Sequence, residues 1–180
     1  MTELKNADLA FVLPKTAALD QAISTSTLSN NDNSYVHVAI IERTKENKHF
    51  IIEATGKHGV IRRPLEDFIN EHQTRIHFYR TIHPLKDASK IIKHAKLEIG
   101  KPYNHGFFQD GPGYYCSQLV IEAYKDEKIF KETPLSFGPD GTILPHWIEY
   151  YKKMGQAVPT DQLGSSPNSL IESHQLKKIQ

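Results

Sequence analysis

Four short runs rich in β-branched and aromatic residues, at 35–42, 49–54, 59–63 and 75–82, crowd the middle of this 180-residue chain and limit what it can become. Val, Ile, Phe and Tyr suit a pleated, half-buried surface. The polar stretch 43–48 between the first two runs is short enough to fold them into a hairpin. Pro64 suits the first position of a helix carrying Leu65, Phe68 and Ile69. The middle therefore reads as an antiparallel sheet with one helical excursion.

Helical patterns flank that sheet. An apolar run at 9–13 stops at Pro14, and 16–28 then carries Ala17, Ala18, Ala22, Ile23 and Leu28 at helical intervals. Residues 29–34 are turn formers that compete for backbone hydrogen bonds, so a loop should deliver the next strand. Residues 86–99 are helical by pattern and close at Gly100, a residue suited to a left-handed cap. Residues 101–113 hold three Gly and two Pro and should form an ordered loop. From Tyr115 the spacing of Leu119, Val120, Ala123 and Tyr124 is helical again, which puts Cys116 and Ser117 in a first turn. One further helix is expected at 145–153. The polar stretch 159–180 either wraps the domain or frays. The expected architecture is α+β, a single domain over 1–180 with its core at about 7–155 and a C-terminal tail at 156–180.

Charge and cysteine usage exclude several functions. With 22 Lys and Arg against 21 Asp and Glu, the chain lacks the basic footprint that phosphate neutralisation requires, so nucleic acid is not an expected partner. One Cys cannot form an internal disulfide or a multi-cysteine zinc site. The ten His include no His-Glu-x-x-His pattern, so no metal or other cofactor is expected. No export signal and no membrane-length apolar run is visible, which points to a cytoplasmic protein with no membrane span.

The single thiol is either a small buried hydrophobe or a nucleophile. Its place favours the second, because helix N-terminal amides favour a thiolate and can also hold the oxyanion formed when it attacks a carbonyl. A base is then needed. If the hairpin turn is centred on Lys45, His37 lies directly opposite Glu53 on one face of the sheet. That pairing offers an imidazole to exchange a proton with Cys116 and a carboxylate to orient it. A core-bonded histidine and a solvated glutamate are the plainer readings of the same two residues. Tyr103, Tyr115 and Ser117, close to the thiol in sequence, are candidates to touch substrate, although packing alone would also explain the tyrosines.

The succession Tyr-Val-His37-Val-Ala-Ile-Ile, Ile-Ile-Glu53-Ala, Gly-Val-Ile-Arg-Arg-Pro-Leu, Gly100-Lys-Pro-Tyr103-Asn and Tyr-Tyr-Cys116-Ser-Gln-Leu-Val resembles the circularly permuted papain-like amidases of the YaeF/YiiX group, relatives of the NlpC cell-wall peptidases. The resemblance covers about 7–125, with the His ahead of the Cys. It implies a Cys nucleophile, a His base and a third polar residue, here Cys116, His37 and Glu53, on a papain-like core whose Cys-bearing helix packs on a small antiparallel sheet. Asn104 departs from the pattern, since an acidic residue is expected there. The function implied is amide or peptide cleavage through a thioester, with a small-molecule, peptide or acyl substrate. A lipid acyltransferase or thioesterase with the same residues is the first rival. A non-catalytic ligand-binding domain is the second.

Overall fold

A computed structural model describes residues 3–15 and 34–180. Its centre is a six-stranded sheet in the order β4-β3-β2-β1-β5-β8, formed by β1 (Leu9–Val12), β2 (His37–Arg43), β3 (His49–Thr55), β4 (Gly59–Pro64), β5 (Ile76–Thr81) and β8 (Leu176–Lys178). Every neighbouring pair is antiparallel. The helix expected at 16–28 and most of the loop at 29–34 lie outside the described residues. The helices are α1 (Leu65–His72), α2 (Ala88–Leu97), α3 (Cys116–Ala123), α4 (Pro145–Lys153) and α5 (Pro167–Glu172). β6 (Thr133–Pro134) and β7 (Leu163–Gly164) make a separate two-stranded ladder.

The period-two alternation of the strands sorts their side chains onto two faces. Leu9, Phe11, Val38, Ile40, Ile52 and Ala54 pack with Ile91 and Ala95 of α2, Cys116, Leu119 and Val120 of α3, and Leu170 of α5. On the other face Ala10, Val12, Ala39, Ile41 and Ile51 pack with Leu65 and Phe68 of α1. Ile69, expected on the buried side of α1, is instead 41% exposed. Pro64 is the residue before the helix, with an extended ψ of 140°, and not its first turn. A third cluster, Phe137, Trp147 and Tyr151 with Phe107 and Phe108, joins α4 to the loop ahead of α3.

The β2–β3 turn departs from the expected register. Arg43 pairs with His49 and Ile40 with Ile52, so the turn is centred on Glu46 and not on Lys45. The cause is Asn47, which takes a left-handed φ of 62° while the Thr44 N–H donates to Lys48 O at 2.8 Å. Asn tolerates that conformation, and a three-residue hairpin loop requires it. His37 and Glu53 therefore share a face as diagonal neighbours rather than a directly opposed pair.

The chain beyond 155 is built into the fold. Leu170 belongs to the main core, and β8 extends the sheet beside β5 through Tyr79↔Lys178 and Thr81↔Leu176.

Candidate active site

Cys116 is the first residue of α3, with Tyr115 as its N-cap. The first amides of a helix have no intrahelical acceptor, so the thiol sits beside unsatisfied N–H groups in a largely apolar setting, 6% exposed. The preceding loop is tied to this helix by Asn104, whose side-chain amide donates to Phe108 O at 2.6 Å and to Gln118 Oε1 at 3.1 Å. Gln118 Oε1 also accepts the Tyr115 N–H at 3.3 Å. A carboxylate at 104 could not donate either bond.

His37 opens β2. Its Nε2 lies 2.6 Å from Glu53 Oε2, and the ring is close enough to Cys116 for the thiol to act on its charge. With Nε2 on the carboxylate, Nδ1 is the nitrogen left for the thiol. Burial alone would lower the His37 pKa, but the nearby Cys116 and the hydrogen bond and charge of Glu53 outweigh it and raise it from 6.5 to about 10. Glu53 is 1% exposed. Burial would raise its pKa, yet His37 and Arg63 hold it below the ordinary 4.5.

Sequence reasoning missed the support behind that carboxylate. Arg63 on β4 donates through Nε to Glu53 Oε1 at 2.6 Å and through Nη1 to Glu71 Oε2 of α1 at 2.6 Å. A chain of ion pairs thus runs from His37 through the buried Glu53 and the partly buried Arg63 to Glu71 at the surface. Ile61 is the direct partner of Glu53, so Arg63 is its diagonal neighbour on the same face. Period-two alternation along β4 was the signal that could have found it. His72, whose ring centroid is 6.2 Å from that of His37, has its pKa pushed down from 6.5 to about 4 by burial and then by the charges of His37 and Arg75, against the pull of Glu71 and Glu53. It stays neutral beside the charged His37.

Two hollows meet at this pair. A narrow one of about 60 Å³ is lined by Cys116, Tyr115, Phe107, Leu135, Phe137 and Trp147 among others. An open cleft of about 600 Å³ is lined by His37, Glu53, Arg63, His72, Arg75 and Lys57 among others. Val36, Tyr103 and Phe107 belong to both. Of the substrate candidates, Tyr103 stands at the junction, where burial and the nearby Cys116 charge raise its phenol pKa well above the usual value and keep it a donor. Tyr115 and Ser117 line the narrow hollow, but their hydroxyls are engaged by Ser165, through N–H to Tyr115 Oη at 3.0 Å and through Oγ to Ser117 Oγ at 2.9 Å. Among the described residues no three His, Cys, Asp or Glu side chains converge as a metal site would need, and no helix is long and apolar enough to cross a membrane.

The chain is similar to known proteins over most of its length. The chain is 22% identical over 186 residues to the uncharacterized protein YiiX of Escherichia coli K12, covering 97% of this chain and 85% of that one. It is 26% identical over 136 residues to protein OPG091 of variola virus, covering 71% of this chain and 78% of that one. The crystal structure of YiiX from Escherichia coli O157:H7, described as a metalloprotein, superposes with a TM-score of 0.80 at 21% identity, covering 98% of this chain and 96% of that one. Residues 3–180 match the family described as permuted papain-like amidase enzyme, YaeF/YiiX, C92 family, and the chain belongs to that family.

Proposed function

We propose that this protein is a cysteine hydrolase that cleaves an amide bond through a thioester on Cys116. The observation that carries the reading is His37, bonded at Nε2 to the buried Glu53 and near the thiol at the N-terminus of α3. In this mechanism His37 takes the Cys116 thiol proton, Sγ bonds to the carbonyl carbon, and the Cys116 N–H and the Tyr103 hydroxyl receive the oxyanion. The C–N bond then breaks, and its electron pair and the His37 proton leave with the amine. Water, deprotonated by His37, splits the thioester and returns the acid and the free thiol. Glu53 keeps the imidazole in one orientation throughout.

The apolar lining around Cys116 also supports an acyl-chain reading, in which the donor is a lipid ester or thioester and the same residues act. Incubation with short N-acyl amides and with lipid esters, read by intact mass, separates the two by which donor leaves an acyl group on Cys116. Iodoacetamide near neutral pH should label Cys116 faster than a model thiol, and His37→Ala should slow the labelling and reduce turnover by about 10²–10⁴-fold. Labelling at the model-thiol rate in the folded wild type would sink the nucleophile assignment.

A further inference from the structure

We propose that the substrate carries an anionic leaving group, a carboxylate or phosphoryl group attached to the departing amine, bound in the cleft beside His37. The inference rests on the hydrolase reading above and specifies the substrate for it.

The direction of the substrate follows from which residue faces which hollow. Cys116 keeps the acyl part and lines the narrow apolar hollow with Phe107, Leu135, Phe137 and Trp147. His37 must protonate the departing nitrogen, so the leaving group has to extend to its side, and that side is the open cleft. The cleft is charged where the other hollow is apolar. Lys15, Lys57, Arg63 and Arg75 line it against Glu53 and Glu71. Both carboxylates are taken by Arg63.

Among the described residues, Lys57 and Arg75 have no carboxylate partner. Arg75 is held in place by two neutral acceptors, Leu13 O at 2.8 Å from Nη1 and His72 Nδ1 at 3.3 Å from Nη2. Its guanidinium keeps its charge and further donors for a ligand. An excess of cation in a walled cleft concentrates field on whatever enters it, and planar oxyanions suit a guanidinium fork. A neutral amine product would gain nothing from these groups. The acyl side shows the complementary preference, since among the described residues its hollow has no charged lining side chain.

Two matched substrate pairs read this directly. One is N-benzoylglycine against N-benzoylglycinamide, and the other is the O-phosphate of N-benzoylethanolamine against N-benzoylethanolamine. The expected result is a kcat/KM roughly tenfold or more higher for the anionic member of at least one pair, and the pair showing it tells carboxylate from phosphoryl. Lys57→Gln and Arg75→Gln should each lower kcat/KM for the anionic member severalfold more than for its neutral partner. Lys57 is exposed, so its variant remains informative if Arg75→Gln folds poorly. Equal rates within both pairs, or a preference that survives both substitutions, overturns the proposal.

Alkylation supplies a readout independent of turnover. The ratio of iodoacetate to iodoacetamide labelling rates at Cys116 should fall severalfold in Lys57→Gln, and an unchanged ratio counts against the anion site even if no amide is cleaved. A slow reaction with both reagents in the wild type is instead a failure of the nucleophile assignment.

Discussion

At Glu53 one buried side chain holds two partners that need its charge. Oε2 faces His37 and Oε1 faces Arg63, each at 2.6 Å. Removing the charge should leave Arg63 partly uncompensated and return His37 toward its ordinary value. The sign of the pH effect follows from the direction of each shift. His37 is raised from 6.5 to about 10, so its contribution to stability is complete below 6.5 and is lost as pH rises through 10. Glu53 is lowered from 4.5, so its contribution is present above 4.5 and is lost as pH falls below that value. The gap in urea midpoint between wild type and Glu53→Gln should therefore be widest at about pH 5–6 and should shrink toward alkaline pH. A gap independent of pH would mean that the pair is not charged in the folded protein. Cys116 and His37 were legible as chemistry in the sequence because a helix start and a strand polar residue are local signals. Arg63 was missed, because alternation along β4 gives its face but its role also depends on the diagonal register of β3 and β4.

Elements were more legible than their joints. Strands β2 to β5 fall within a residue or two of the apolar runs that announce them, and α4 coincides with the helix read from 145–153. The hairpin register was missed by two residues because Asn47 adds a left-handed residue to the turn, a choice that composition does not force. Gly59 shows why the loop ahead of α3 has a fixed place. Its φ is +69°, and a Cβ there would lie 2.2 Å from Lys101 O. Close approach lets the Val60 N–H donate to Lys101 O at 2.9 Å, which ties β4 to the base of that loop. Within the loop, Asn104 is the residue whose chemistry can be tested without changing its size. Asn104→Asp replaces two donated hydrogen bonds with a buried carboxylate facing two acceptors, at a cost of about 1–3 kcal/mol. The expected result is a Tm lower by roughly 2–10 °C, with Cys116 alkylation slowed as the start of α3 loosens. An unchanged Tm would show that Asn104 holds nothing together.

Across the whole molecule, the site is assembled from pieces far apart in the chain, and the C-terminal segment holds several of them. Asn168 of α5 accepts the Tyr35 N–H at 2.7 Å and donates to Tyr35 O at 3.3 Å, fixing the backbone two residues ahead of His37. Ser165 binds both Ser117 and Tyr115 at the start of α3. The same short stretch therefore sets the strand that carries the imidazole and the helix that carries the thiol. Composition gave this segment the look of a polar tail because it has few apolar residues. Beside the core packing of Leu170, its contribution to the site is made by directed hydrogen bonds, which hydropathy does not register. Asn168→Ala should leave the Tyr35 amide and carbonyl unpaired and cost about 1–3 kcal/mol. If the segment positions the pair, alkylation of Cys116 should slow more than the stability loss alone explains when wild type and variant are compared well below their melting temperatures. Adding Asn168→Ala to His37→Ala should then slow labelling little further, because Asn168 acts through the imidazole that is already gone. Fully additive effects on the labelling rate would assign Asn168 to stability only and leave the placement of His37 to β2 and its neighbouring strands.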